Sequence, residues 1–276
     1  MAEVSDQREK AARFLALHRG ERPLLLANAW DAGSAAILAS LGFEALATTS
    51  SGHAATLGRL DGSVTRGEAL AHAAAIVAAT PLPVSADLEH CFPDEAGGVG
   101  ETIRLAVAAG LAGASIEDYS GDDAEGIYPL ELARERVAAA AAVAHAGPVH
   151  LVLTARAENH IRGRDDLDDT IVRLRAYEAA GADVLYAPGL TGLAEIRRVL
   201  DAVARPLNVL VRPGLAPIAA LTQAGVARVS VGGAFAYAAL AGLVAAAVEL
   251  RDAGTYGFLE QAAAGSARAR EAFAQS

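Results

Sequence analysis

Hydrophobic positions along this chain alternate between two rhythms. Short β-branched or leucine-rich runs recur at residues 24–27, 45–49, 83–86, 114–116, 149–155, 184–186, 207–211 and 227–231. Between them, residues 32–41, 66–79, 100–109, 130–144, 167–180, 193–204 and 218–224 place apolar side chains three and four positions apart, the spacing of one helix face. Near-continuous apolar runs mark strands buried on both faces, as in parallel sheets covered by helices. Eight such strands with a helix in each gap, within about 250 residues, predict an α/β fold of the (β/α)8 TIM barrel type; a doubly wound sheet usually stops at about five to seven strands. Gly42, Gly110, Gly113, Gly181 and Gly225 each stand between a helical segment and a strand, where C-caps are expected. Residues 7–17, 238–251 and 256–273 exceed a minimal barrel, and are expected to cap its floor or pack on another subunit. Residues 1–276 read as a single barrel domain.

Composition narrows the class. The chain is 53% hydrophobic with 27 glycines and only 5% aromatics, enough for a large core of small aliphatic side chains. A net charge of −10 and the absence of any Lys/Arg cluster argue against nucleic acid as a partner. The single cysteine, Cys91, excludes an intramolecular disulfide framework and suits a reducing cytoplasm. The first residues lack the basic head and apolar centre of a signal peptide. The longest apolar stretch, 234–247, is glycine-interrupted and short for a bilayer, so no membrane association is expected.

Chemistry gathers where strands end. In a barrel of this kind, functional groups sit at the C-terminal strand ends, and Asn28, Ser50, Ser51, Gly52, His53, Asp87, Glu89, Glu117, Arg156 and Glu158 all fall there. The opposite rim, with Arg22, Pro83, Gly113 and Pro206, is expected to be plain. Asp87, Glu89 and Glu117, with Asp61 reaching in from the loop after strand two, would repel one another if left uncompensated. A divalent cation is the simplest remedy, and an all-oxygen donor set favours Mg²⁺ or Mn²⁺ over zinc. The bland alternative is that some of these acids pair with Arg156 or cap helices. Arg156 is the one basic residue that a strand delivers to this rim; it suits a substrate carboxylate or phosphate, a salt bridge to Glu158 or Glu117, or both. Residues 48–53 offer hydroxyls and successive N–H groups as an anion nest.

The order NAWDAGSA, TTSSG, LGRLDG, SADLEH, the IED closing strand four, TARAE and SVGG closely resembles the isocitrate lyase and phosphoenolpyruvate mutase superfamily, across residues 24–233. The resemblance implies a (β/α)8 barrel whose terminal helix, within 238–276, swaps between subunits of a homodimer or a dimer of dimers (homotetramer). It also implies Mg²⁺-dependent chemistry on a small 2-oxo acid. Carried over by motif, Asp87 is the main metal ligand, with Asp61, Glu89 and Glu117 holding its waters; Ser51, Gly52 and His53 bind a substrate carboxylate or phosphonate; Arg156 is the clamp, and Asn208 a further substrate contact. The chain departs from the superfamily at residues 119–126. There the lyases carry a Lys-Cys-Gly-His gating motif, whereas here the loop is acidic and has neither thiol nor lysine. Tyr119, Tyr128 or His53 is then expected to supply the proton, and Glu89 stands where many relatives have aspartate. With the gating motif missing, decarboxylation or another C–C cleavage of a 2-oxo dicarboxylate such as oxaloacetate or 2-oxoglutarate ranks above isocitrate-type lysis. A non-catalytic 2-oxo acid binding protein and a C–P cleaving hydrolase or mutase are the alternatives. A phosphate-binding barrel using Gly232 and Gly233 ranks below them.

Overall fold

A computed structural model describes residues 2–93 and 98–274. Eight parallel strands close a barrel in chain order: β1 (Leu24–Asn28), β2 (Leu46–Ala47), β3 (Val84–Asp87), β4 (Gly113–Glu117), β5 (Val152–Arg156), β6 (Val184–Tyr186), β7 (Leu207–Leu210) and β8 (Arg228–Ser230). Around them run α1 (Ala2–Leu17), α2 (Ala32–Ser40), α3 (Ser50–Thr56), α4 (Arg66–Ala78), α5 (Gly98–Ala108), α6 (Leu130–Ala144), α7 (Leu167–Ala179), α8 (Leu193–Ala202), α9 (Ile218–Ala224), α10 (Ala234–Val248) and α11 (Leu259–Phe273).

Strand residues divide between two cores with a period of two. Leu46, Val84, Ala86, Ala114, Ile116, Leu153, Ala155, Leu185 and Val209 pack outward against the helices. Leu24, Leu26, Ala47, Val152 and Val184 pack inward with Ala11 and Phe14 of α1. The helix therefore plugs the barrel floor, fixed by Gln7, whose Nε2 donates to the carbonyls of Val107 and Leu111 at 2.8 and 3.0 Å. Burial of Phe14 contributes roughly 2–3 kcal/mol of transfer free energy. The same parity sends the polar strand residues into the barrel: Asp87 pairs with Ser115, Glu117 with Arg156, and Arg156 with Tyr186 across the ladder.

Four of the five glycines behave as caps, with φ values of 87°, 85°, 107° and 91° at Gly42, Gly110, Gly181 and Gly225. Gly113 does not. It lies inside β4, where a Cβ would come within 2.7 Å of Phe14 and 3.0 Å of the Val152 carbonyl, so it is glycine to admit α1.

Three other expectations change. Residues 50–56 form a helix, α3, with the Thr49 side chain accepting from the Gly52 N–H, because a Thr followed by small residues caps as readily as it loops. The floor is not plain: His18, Asp183 and Arg228 are buried there. The apolar stretch from Ala234 continues through a π turn to Ala253, a 20-residue helix long and apolar enough by composition to cross a membrane. Tyr237, Leu240, Leu243, Val244 and Val248 stand exposed on it. α11 folds back onto α2, with Phe273 beside Gly33.

Candidate active site

Two connected cavities open at the C-terminal ends of the strands. An inner one of about 160 Å³ is lined by Asn28, Ser50, Asp61, Asp87, Arg156, Tyr186 and Asn208 among others; an outer one of about 580 Å³ shares Ser50, Asp61 and Arg156 and adds Glu89, Glu117, Tyr119, Asp123 and Arg162. A larger groove of about 840 Å³ beside α1 has no comparable convergence of polar groups.

Arg156 is the hub. Its Nη1 donates to Asp87 Oδ1 at 2.9 Å, its Nε to Glu158 Oε1 at 3.0 Å, and its Nη2 lies 3.0 Å from Glu117 Oε2 and 2.9 Å from Glu158 Oε1. Both readings of Arg156 thus meet at one residue: it lines the cavities and it pairs with acids. Asp87 also accepts from Ser50, from the hydroxyl at 3.1 Å and the amide at 3.3 Å, and from Ser115 Oγ at 3.4 Å. Arg162, from the loop after β5, stands 3.8 Å from Glu117 and 3.5 Å from Glu158.

The charges do not balance. Two guanidiniums face Asp61, Asp87, Glu89, Glu117 and Glu158. Burial, then the charges of Asp87 and Asp61, push the Glu89 carboxyl up to about 8; burial and then Asp87 raise Asp61. Burial drives Glu117 well above the usual carboxylate range, although Arg156 opposes it. A surplus of hard oxygen donors fits a divalent cation. Glu89 is delivered by a strained turn after β3, in which Glu89, Cys91 and Phe92 hold φ of 50°, 58° and 47°.

Other expected residues divide. Asp61 faces both cavities and bonds Ser50. Tyr119 lines the outer cavity, donates to Asp123 Oδ1 at 2.5 Å, and carries the Arg162 guanidinium 3.5 Å above its ring. Asn208 reaches the inner cavity, donating to Ser230 Oγ at 2.9 Å. Ser51 lines that cavity as well, while Gly52 sits so close to Thr49 and Trp30 that a Cβ would meet them at 2.5 and 3.1 Å. His53 is not brought to the mouth: it lines neither cavity and stacks on His72 with centroids 3.8 Å apart, because α3 turns it toward α4. Cys91 is fully buried, its Sγ 3.6 Å from the Ser115 carbonyl.

Sequence reasoning missed Arg162, Tyr186 and Asp123. Ser50 was named on the rim and in the nest at residues 48–53 without a link to Asp87, and Arg162 was signalled only by its place four residues beyond Glu158. Among the described residues, one group of three metal-type side chains brings its ligand atoms within 4.8 Å: His145, His150 and Asp183, at the barrel floor. Its imidazoles are stacked parallel, 5° apart in plane, so their lone pairs do not converge on one ion; each instead bonds its own Asp183 oxygen, at 3.0 and 3.1 Å.

Known proteins resemble this arrangement over most of its length. The family model described as phosphoenolpyruvate phosphomutase matches residues 14–251. A crystal structure of a candidate lyase/mutase from Burkholderia cenocepacia J2315 superposes with a TM-score of 0.90 and 50% identity, covering 93% of this chain and 92% of that one. An oxaloacetate decarboxylase of Bradyrhizobium sp. is 34% identical over 72% of this chain and 68% of its own. A 2-methylisocitrate lyase of Halalkalibacterium halodurans is 32% identical over 73% and 67%. The chain belongs to the phosphoenolpyruvate phosphomutase family, within the isocitrate lyase and phosphoenolpyruvate mutase superfamily that its motifs resemble.

Proposed function

We propose that this protein is a Mg²⁺-dependent carbon–carbon lyase or decarboxylase acting on a small 2-oxo acid of the oxaloacetate or 2-oxoglutarate type. The observation that carries the reading is the surplus of carboxylates over guanidiniums at the mouth, expressed in the raised carboxyl of Glu89. Asp87 would hold the cation directly, with Asp61, Glu89 and Glu117 around it; the ion would supply Lewis-acid stabilisation of charge developing on a ketone oxygen, and Mn²⁺ could replace it. The naming of relatives as an oxaloacetate decarboxylase and a methylisocitrate lyase supports C–C cleavage.

The chain's own groups do the rest. Arg156, fixed on three acids, orients the substrate and holds its carboxylate end against the inner cavity. Ser50 and Ser51 offer hydroxyls there, and Asn208 a further polar contact. Tyr119 holds a proton toward Asp123 beside the outer cavity, at the place where the superfamily's gating loop supplies one. His53 is given no part in proton transfer. The exposed apolar face of α10 is proposed to pack against a second copy of the chain, in a cytoplasmic homodimer or homotetramer.

Incubating the protein with Mg²⁺ and a panel of 2-oxo acids tests the assignment. Consumption of a 2-oxo dicarboxylate whose breaking bond is at C3, as in oxaloacetate, is expected, with release of CO₂ or of a second carbon fragment, whereas unsubstituted 2-oxoglutarate, whose far carboxylate is on C4, should bind without being cleaved. Binding without turnover of any member of the panel would replace it with a 2-oxo acid sensor, a reading favoured only by the thiol-free, lysine-free loop at 119–126.

A further inference from the structure

One side-chain layer below Arg156, the barrel interior holds a second guanidinium, Arg228 of β8. It is 3% exposed. Its Nη2 donates to Thr154 Oγ1 at 3.1 Å, and its Nη1 lies 3.2 Å from His18 Nε2. Since His18 Nδ1 sits 2.8 Å from the Phe14 carbonyl, Nδ1 carries the ring proton and Nε2 is the acceptor. Both partners are neutral, and burial holds His18 down at about 3 so that it stays neutral. The Arg228 Nε has no hydrogen-bond partner, and among the described residues no carboxylate forms a salt bridge with this side chain. It remains a cation, its pKa lowered by burial to about 10.

Arg228 also lines the inner cavity, which rises past Asn208, Ser230 and Tyr186 to Asp87 and Arg156. Asn208 is fully buried and leaves its Oδ1 without a partner. The polar groups at the lower end of this space thus exceed what the protein satisfies, and the charge held there, that of Arg228, is positive and has no acid hydrogen-bonded to it among the described residues, whereas the acids of the same cavity, Asp61 and Asp87, lie at its upper end. A guanidinium removed from water with only neutral hydrogen-bond partners is costly until an anion completes it.

We infer that Arg228 is the seat of a second anionic group on the substrate, so that the inner cavity selects 2-oxo dicarboxylates over 2-oxo monocarboxylates. This rests on reading the mouth as a 2-oxo acid site. The 2-oxo end lies at the acids around Asp87, and the far carboxylate points down the barrel axis toward Arg228.

Matched pairs that differ in one terminal group test it: 2-oxoglutarate against 2-oxopentanoate, and oxaloacetate against 2-oxobutyrate, titrated into the Mg²⁺-loaded protein. The parent is expected to prefer the dicarboxylate of at least one pair. Arg228→Gln should weaken that dicarboxylate by roughly 30-fold or more while leaving the monocarboxylate within about threefold. Arg228→Lys, which keeps the charge, should retain part of the preference. His18→Ala should lower Tm yet preserve it, because the imidazole fixes α1 rather than the ligand. Equal weakening of both members of a pair by Arg228→Gln, or no preference in the parent, would overturn the seat while leaving the 2-oxo acid site standing. A parent that binds none of the four acids would overturn both. Chloride raising the Tm of the parent but not of Arg228→Gln, without any dicarboxylate preference, would mark a seat for a free inorganic anion and likewise overturn the substrate role.

Discussion

The two ends of the barrel interior hold the same side chain in opposite company. At the mouth, Arg156 is gripped by Asp87, Glu117 and Glu158, and the acids outnumber it; at the floor, the hydrogen bonds of Arg228 among the described residues go to Thr154 and neutral His18. Residue type alone therefore decides little. The sign of the local charge imbalance decides what each end is fit to receive: a cation above, an anion below. A ligand that chelates a metal at one end and carries a carboxylate at the other satisfies both.

The contrast can be broken most forcefully at Asp87. Asp87→Ala removes the acid on which Arg156, Ser50 and Ser115 converge, and should lower kcat/KM by about 10³-fold or more with little loss of stability; steady-state kinetics beside a melting curve checks both halves. A stability loss with activity retained would make the mouth a structural ion cluster.

Arg156→Met should cost substrate binding and stability together. It leaves Glu117 and Glu158 buried without their main cation, at a cost of about 3–5 kcal/mol near neutral pH. The penalty should shrink as pH falls, since both acids then fold protonated, and urea titrations at two pH values would show it.

A balanced network sits just behind the mouth and sharpens the comparison. Asp118 accepts from Arg173 at 3.1 Å, from Tyr177 at 2.5 Å and from the Glu158 amide at 2.8 Å. Tyr177→Phe should cost about 1–3 kcal/mol and leave kcat/KM within about threefold.

Acid–base behaviour should separate mouth from bulk. The Glu89 carboxyl is raised in the folded state, so its contribution to stability is full below its ordinary value near 4.5 and is lost as pH rises toward about 8. The Tm of the metal-free protein should therefore decline across that window, Mg²⁺ should flatten the decline, and Glu89→Gln should abolish its Glu89-dependent part. The smallest effect on the fold belongs to α10. Leu243→Glu combined with Val244→Glu should leave stability within about 0.5 kcal/mol of the monomer's, yet shift sedimentation toward the monomer.

Most of the architecture was legible because a parallel barrel writes each strand as a short apolar run and each helix as a spaced one; α6 and α9 fall on the residues the spacing indicated. The acids were legible for a related reason, standing where the runs stop. What sequence could not resolve was which way neighbours point. Glu117 and Asp118 are adjacent and chemically alike, yet pleat parity turns one into the mouth and the other out to Arg173 and Tyr177. His53 was misplaced for a similar reason, since a helix in place of a loop rotates it onto His72. Arg228 lay inside an apolar run, and only its inward orientation in the closed barrel reveals an uncompensated charge.

Metal dependence of turnover tests the mouth most directly. Substrate loss from a 2-oxo dicarboxylate should stop on chelation, return on adding Mg²⁺, and stay absent in Asp87→Ala whatever the Mg²⁺ concentration. Turnover that survives exhaustive chelation, or a full panel left untouched with Mg²⁺ failing to move the melting temperature, would contradict the assignment.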